Sequence, residues 1–251
     1  KPFIVQYANW VVNAAQGDLG MSYSAKKPVV DRMLEALPGT VMLAGTALVF
    51  TLLYALPAGI ISAVNRNKWV DYVLRSLSFV GVSMPSFWLG LVLIYIFGLK
   101  LGLVPIATSR ITPIGVILPA ATLAVVIGSK YMRQVRLVIL EEMEKDYVIG
   151  ARARGVSEMK ILFGHILPNA VLPLITILGV VMGWLLGGVA VVEMVFSWPG
   201  LGNMAVYAIT MRDYPLIEGF VLWVALAYMC INALIDASYI LLDPRLKRER
   251  A

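Results

Sequence analysis

Charge is the scarcest ingredient of this chain. Asp, Glu, Lys and Arg make up 14% of its 251 residues, against about a quarter in an ordinary soluble domain, which argues against one or two soluble domains. Cysteine and histidine are scarcer still. Cys230 stands alone inside an apolar run, excluding an internal disulfide and a Cys-based zinc spacing, and the single His165 excludes a His-pair metal site. No G-x-x-x-x-G-K-[ST] phosphate loop occurs, so the chain does not hydrolyse ATP by that route. No basic patch is interleaved with aromatics, so the net charge of +6 does not point to nucleic acid. In a membrane protein, basic residues mark cytoplasmic loops instead.

What the chain has is apolar surface: 60% of its residues are hydrophobic and its mean hydropathy is +0.82. Runs long enough to cross a roughly 30 Å hydrocarbon core, about 20 residues each, recur along it. A β-barrel is excluded, because its strands would be short and would alternate apolar with polar residues. The reading is all-α, a polytopic transmembrane helical bundle facing membrane lipid, with spans at 40–64, 77–99, 114–132, 172–195 and 217–242. Residues 1–38 are mixed and hold no cleavable signal pattern. An odd number of spans and a first residue of Lys1 lead us to expect one further helix upstream.

Counting Lys and Arg by side sets the orientation. Segments 65–75, 130–168 and the C-terminal tail hold 14, and the alternate segments hold 7. This makes 1–38 an extracytoplasmic segment, 39–245 the transmembrane domain with a cytoplasmic loop at 146–168, and 246–251 a cytoplasmic tail.

Within the spans, "GVSMPSFWLG" (81–90) admits two readings. One is an ordinary proline kink, tolerated where neighbours satisfy the freed carbonyls. The other is a helix broken beside a translocation path lined by Gly81, Ser83 and Pro85. The second predicts that bulky replacements at Gly81 or Ser83 slow transport without disturbing assembly. Glu193 and Glu218 fall near outer span ends, where exposure to water or a partner is expected. Asp236 lies near an inner end, within reach of basic residues. In a proton-coupled secondary transporter, the alternative from another class, these acids would form the relay. A Ser83–His165 hydrolytic pair is not expected, since the two fall in a span and a cytoplasmic loop. "WPGLG" (198–202) is a turn, with Trp198 as an interfacial anchor and Pro199, Gly200 and Gly202 forcing the corner.

The loop "DYVIGARARGVSEMKILFGHILP" (146–168) is the most informative stretch. Tyr147–Arg154 make about two helical turns, Gly155 suits a left-handed stop, Ser157 is placed to cap a second short helix over 158–163, and Pro168 ends the unit. Small residues (Gly150, Ala151, Ala153) allow close approach. Both a docking element and a solvated connector fit this pattern.

The stretch resembles the coupling loop of ABC-importer permeases, E-A-A-x3-G-x9-I-x-L-P. Aligned on Gly155, Ile149, Gly150 and Ala151 stand for E-A-A, and His165, Leu167 and Pro168 for I, L and P. Four of seven positions match, and "ARARG…HILPNAVLP" is very similar to the variant in peptide, opine and nickel permeases. "GDLGMSYSAKKPV", "LPGTVMLAGTALV", "GVSMPSFWLGLVL", "VFSWPGLGNMAVYAITMRDYP" and "LLDPRLK" follow in family order. The chain is identified on these blocks as a member of that family, which normally starts with one more helix.

The resemblance implies a type I ABC importer permease fold in a prokaryotic inner membrane, without enzyme activity of its own. It implies a second homologous permease subunit, two ATPase subunits that hold ATP and Mg, and an extracytoplasmic substrate-binding protein. Ala151, Ala153, Arg154, Gly155, Ser157, Glu158, Met159 and Ile161 would couple to the ATPase. Trp198, Pro199, Gly200 and Gly202 would face the binding protein. The cargo would be nickel (ion or chelate) or a di- or oligopeptide. The short linker 100–113 looks slightly more like nickel permeases, although no residue is an obvious nickel ligand.

Overall fold

A computed structural model describes residues 2–107 and 109–242, and the described chain is helical. In order the helices are α1 (Phe3–Ala15), α2 (Val29–Val64), α3 (Trp69–Ser83), α4 (Ser86–Leu93) running into a π-helical stretch (Ile94–Lys100), α5 (Ile117–Met143), α6 (Asp146–Ala153), α7 (Glu158–Ile161), a π-helical turn (Leu162–Ile166), α8 (Leu167–Gly188), α9 (Ala190–Val195), α10 (Leu201–Thr210) and α11 (Tyr214–Leu242). By length and apolarity, Val29–Val64, Glu158–Gly183 and Tyr214–Ala237 each suffice to cross a membrane, and the bent pair α3–α4 makes a fourth when taken as one span. α5 is long enough, but its second half carries Lys130, Arg133 and Arg136.

Several boundaries differ from those expected. α2 begins at Val29 rather than 40, so the expected division at 38/39 falls inside one helix of 36 residues. At 1.5 Å per residue that helix is about 54 Å long, well beyond a hydrocarbon core. The span expected at 77–99 is broken: α3 and the α4 segment meet at 101°. Pro85 supplies the cause, since a residue before proline is pushed out of the helical region, and Met84 sits at φ −81°, ψ 129°. Pro168 does not end the loop unit. The π turn before it moves the hydrogen bonding by one residue, Leu167 N–H reaching the Leu162 carbonyl. Pro168, which has no N–H to give, then falls in the first turn of α8 and the helix continues. The span expected at 172–195 stops at Gly188, and α9 is a separate short helix. The tail 246–251 lies outside the described residues.

Contacts divide the chain into two units, Lys1–Thr46 with Gly90–Ala120 and Trp184–Met229, and Ala47–Leu89 with Ala121–Gly183 and Cys230–Ala251. In the first, the start of α2 packs on α10 and the start of α11 through Val29, Met33, Leu201, Met204, Ala208 and Leu216. In the second, the core runs through α2, α5, α6, α7 and α8, with Ala55, Tyr131, Val135, Ile139, Val148, Ile161, Ile166 and Ala170 buried together.

Two junctions pair buried polar groups inside the second unit. The Arg136 guanidinium grips Asp71 through Nε and Nη2, both at 2.8 Å, while the Ser62 hydroxyl (2.6 Å) and the Asn67 N–H (3.0 Å) donate to the same carboxylate. Ser129 on α5 forms a second junction: its hydroxyl lies 2.9 Å from that of Tyr54, and its carbonyl accepts from Ser78 at 2.7 Å.

Candidate functional site

The loop 146–168 lies in the second unit and is built from its ends inward. Before α6, the buried Glu142 carboxylate accepts from Lys145 Nζ (2.5 Å) and from the Tyr147 hydroxyl (2.6 Å), tying the end of α5 to the first turn of α6. Burial and the Glu142 carboxylate beside it push the Tyr147 phenol up to about 12, so it stays a donor. α6 closes in a paired C-terminal motif: Gly155 N–H bonds the Arg152 carbonyl (2.9 Å) and Val156 N–H the Ala151 carbonyl (3.2 Å). This geometry needs a left-handed residue after the cap, and Gly155 supplies it at φ +79°.

Across that turn, Arg152 makes a two-pronged contact with Glu158, Nε at 2.8 Å and Nη2 at 3.0 Å. An exposed pair of this kind contributes little stability, about 0–1 kcal/mol, but its planar geometry sets the angle between α6 and α7. Ser157 occupies the N-cap position of α7 in extended backbone, yet its side chain makes no capping bond.

The eight expected coupling residues divide by burial. Ala153, Arg154, Gly155, Ser157, Glu158 and Met159 are exposed, Met159 by 64%. Ala151 and Ile161 are buried in the unit's own core, which corrects their placement at a docking face. Their job is to hold α6 and α7 down. The exposed ridge instead carries Met159 and Phe163 as its apolar contacts, Phe163 being 61% exposed. Phe163 and Arg152 were missed in the sequence. For Phe163 the signal was an aromatic four residues after Met159, one helical turn on; for Arg152 it was a cation six residues before Glu158 across a glycine.

The residues expected along a path divide as well. Ser83 and Pro85 are exposed at the bend, and the Ser83 hydroxyl donates back to the Phe79 carbonyl at 2.9 Å. Gly81 is buried, and a β-carbon there would run into the Ser129 hydroxyl on α5. It is a packing glycine rather than a path-lining residue. A bulky side chain at Gly81 therefore breaks the α3–α5 contact, contrary to the expectation of slowed transport with intact assembly.

In the first unit, "WPGLG" proves to be an interior corner. Trp198, Gly200 and Gly202 are buried and Pro199 is half-buried, so the four do not form the exposed face expected of them; Met194, Ser197 and Tyr207 are their exposed neighbours. Trp198 is no interfacial anchor: its indole N–H donates to the Gly39 carbonyl at 2.8 Å. The reversal comes from Ser197, left-handed at φ 52°, with Trp198 N–H on the Glu193 carbonyl and Ser197 N–H on that of Met194.

Glu193, expected to face water or a partner, is fully buried. Its carboxylate accepts from the Thr40 hydroxyl (2.8 Å) and from the Asn203 N–H at the start of α10 (2.9 Å), and Thr40 Oγ in turn accepts from Leu201 N–H (2.8 Å). A carboxylate at a helix N-terminus satisfies donors that have no partner inside the helix. Gly200 has no side chain because the Glu193 carboxylate occupies that space.

A second buried acid, Asp213, follows α10. Oδ2 accepts from the Ser22 hydroxyl (2.6 Å), the Ser24 hydroxyl (2.7 Å) and the Ser24 N–H (2.9 Å), pinning 22–24 to the α10–α11 turn. Desolvation acts to raise this carboxyl, but the donors outweigh it and hold it well below the usual carboxylate range. Among the described residues, no group of three or more His, Cys, Asp or Glu is placed to hold a metal ion.

Residues 55–248 match the family model described as binding-protein-dependent transport system inner membrane component. The chain is 37% identical over 247 residues to the glutathione transport system permease protein GsiC of Escherichia coli (strain CFT073), covering 98% of this chain and 80% of that protein. The GsiC of Shigella dysenteriae is 36% identical with the same coverage. Among solved structures, an inward-facing form of the MetNI methionine ABC transporter superposes with a TM-score of 0.71 at 18% identity, over 84% of this chain and 96% of that one. An amino acid ABC transporter gives 0.63 at 18% identity, over 83% and 92%. At such identities the likeness is one of fold.

Proposed function

This chain belongs to the family of binding-protein-dependent transport system inner membrane components, and we propose that it is the permease through which a peptide-like solute is driven inward by ATPase subunits separate from it. As a member of that family it is a permease component of an ABC importer in the inner membrane. The observation that carries the substrate reading is the 37% identity, over 98% of this chain, to a permease of a glutathione transport system, glutathione being a small peptide. The linker 100–113, which looked more like nickel permeases, is outweighed by identity across nearly the whole length.

The coupling role rests on the loop's geometry. A rigid turn at Gly155, braced by the Arg152–Glu158 pair and rooted in the core by Ala151 and Ile161, presents Met159 and Phe163 to a partner. A solvated connector would need neither the buried anchors nor the exposed apolar pair. ATP and Mg belong in the two ATPase subunits, a second homologous permease completes the membrane part, and an extracytoplasmic binding protein delivers cargo. Alternating access follows: ATPase closure pulls the loop, and the spans open outward. The bend at Pro85, with Ser83 exposed beside it, supplies a helix break of the kind transporters place along a path.

The test is uptake into proteoliposomes containing this chain, its second permease and its ATPases, with the binding protein added. Radiolabelled glutathione or a dipeptide is expected to enter only with ATP inside, and excess nickel is not expected to compete. Uptake driven by a proton gradient without ATP would favour the secondary-transporter alternative, and ATP-driven nickel entry would return the substrate to the metal.

A further inference from the structure

Between α3 and α5 the second unit opens a cavity of about 630 Å³, walled by Tyr72, Arg75 and Phe79 on one side and Arg133, Gln134 and Leu137 on the other. Arg136 also borders it, but both of its bonds go to Asp71. That carboxylate is filled further by Ser62 and Asn67. Among the described residues, no carboxylate pairs with Arg75 or Arg133; the Arg75 guanidinium lies over the Tyr72 ring, 5.9 Å from its centre. Two guanidiniums without a counter-ion share one groove with apolar walls, and such a groove favours an anion.

The order of side chains along α3 specifies which anion. Trp69 (75% exposed) and Tyr72 stand at its start, Arg75 follows within a turn, and Phe79 and Val80 are exposed beyond it. At 1.5 Å per residue, Arg75 is about 9 Å and Phe79 about 15 Å past Trp69. Aromatic rings and a cation at the water-side end, then apolar surface, match one phospholipid leaflet: headgroup level, then acyl chain. A soluble anion would gain nothing from the exposed Phe79, Val80 and Leu137. Ser76 and Gln134 add neutral donors beside the cations. In the orientation set by the charge count, this is the cytoplasmic side.

We propose that the groove between α3 and α5 binds the headgroup phosphate of an anionic phospholipid through Arg75 and Arg133, with an acyl chain along Phe79 and Leu137. The test uses the assembled complex of both permeases and the ATPases in nanodiscs of phosphatidylcholine doped with phosphatidylglycerol, read by native mass spectrometry after release into detergent. Wild type is expected to retain phosphatidylglycerol, with Arg75→Gln/Arg133→Gln retaining at least tenfold less and Arg75→Lys/Arg133→Lys an intermediate amount. Leu137→Trp, which keeps both cations and narrows the acyl wall, is also expected to lose the lipid. Inorganic phosphate at millimolar concentration is not expected to displace it; displacement would make the site one for a free anion and overturn the lipid assignment. Equal retention by wild type and the double Gln variant overturns the proposal. So does loss of the second permease from the double Gln variant with lipid still bound, which would make the groove a subunit interface.

Discussion

At Asp213 a single carboxylate organises the first unit's approach to α11. All its bonds fall on Oδ2, while Oδ1 is buried without a partner. An asparagine can place its carbonyl where Oδ2 sits and its amide where Oδ1 sits, losing only the charge-assisted part of the bonds, whereas alanine strands the buried Ser22 hydroxyl as well. Asp213→Ala is therefore expected to cost about 2–3 kcal/mol and Asp213→Asn about 1 kcal/mol, read as the unfolding midpoint of the purified complex or as protease nicking at 24–27. The folded carboxyl lies below its unfolded value, so its contribution is complete above about pH 5 and is lost progressively as pH falls from the unfolded value, about 4, towards the lower, folded one. The gap between wild type and Asp213→Ala should thus stay constant from pH 8 to pH 5. A gap that closes within that window would show that the carboxyl is not held down.

At the scale of an element, the helix–turn–helix of the loop depends on one backbone conformation. A β-carbon at Gly155 meets nothing within 4 Å, so substitution there costs only the left-handed backbone, about 1–2 kcal/mol for a non-glycine residue and more for a β-branched one. That is small for the whole membrane domain but large beside the exposed Arg152–Glu158 pair that sets the α6–α7 angle. Gly155→Val is expected to insert and fold normally yet lose substrate-stimulated ATP hydrolysis and uptake together, with Gly155→Ala less affected. Co-purification of the ATPase subunits alongside uptake is the measurement; full coupling in the Val variant would make the loop a connector. The pattern of glycine, small residues and caps made this element legible in the sequence. Which of its faces is buried was not, because Ala151 and Ile161 join a core that includes Ala55 and Ala63 of α2, far away along the chain.

For the whole molecule, the charge count predicts opposite exposure for loops on either side of the membrane. Cysteines at Lys26 and Met211 in a Cys230→Ala background should react with impermeant reagents from outside intact cells, and one at Arg154 should not. Lys26, Met211 and Arg154 are all exposed on the protein, so only the membrane decides which of them reacts. Labelling at Arg154 would invert the orientation.

Composition alone determined that this chain belongs in a membrane, since low charge and repeated long apolar runs leave no soluble alternative. Local pattern marked Pro85 as a kink or a break and placed the left-handed stop at Gly155, because both depend on the geometry of one residue and its neighbours. The tertiary structure alone decided what the acids and glycines of the corner do. Glu193 reads in sequence as an acid near a span end, and only the fold brings Thr40 and the start of α10 onto it. Gly81 reads as a path-lining position beside a kink, and only the approach of Ser129 on α5 makes it a packing contact. Burial depends on partners far apart in the chain, while a backbone angle depends on the residue that adopts it.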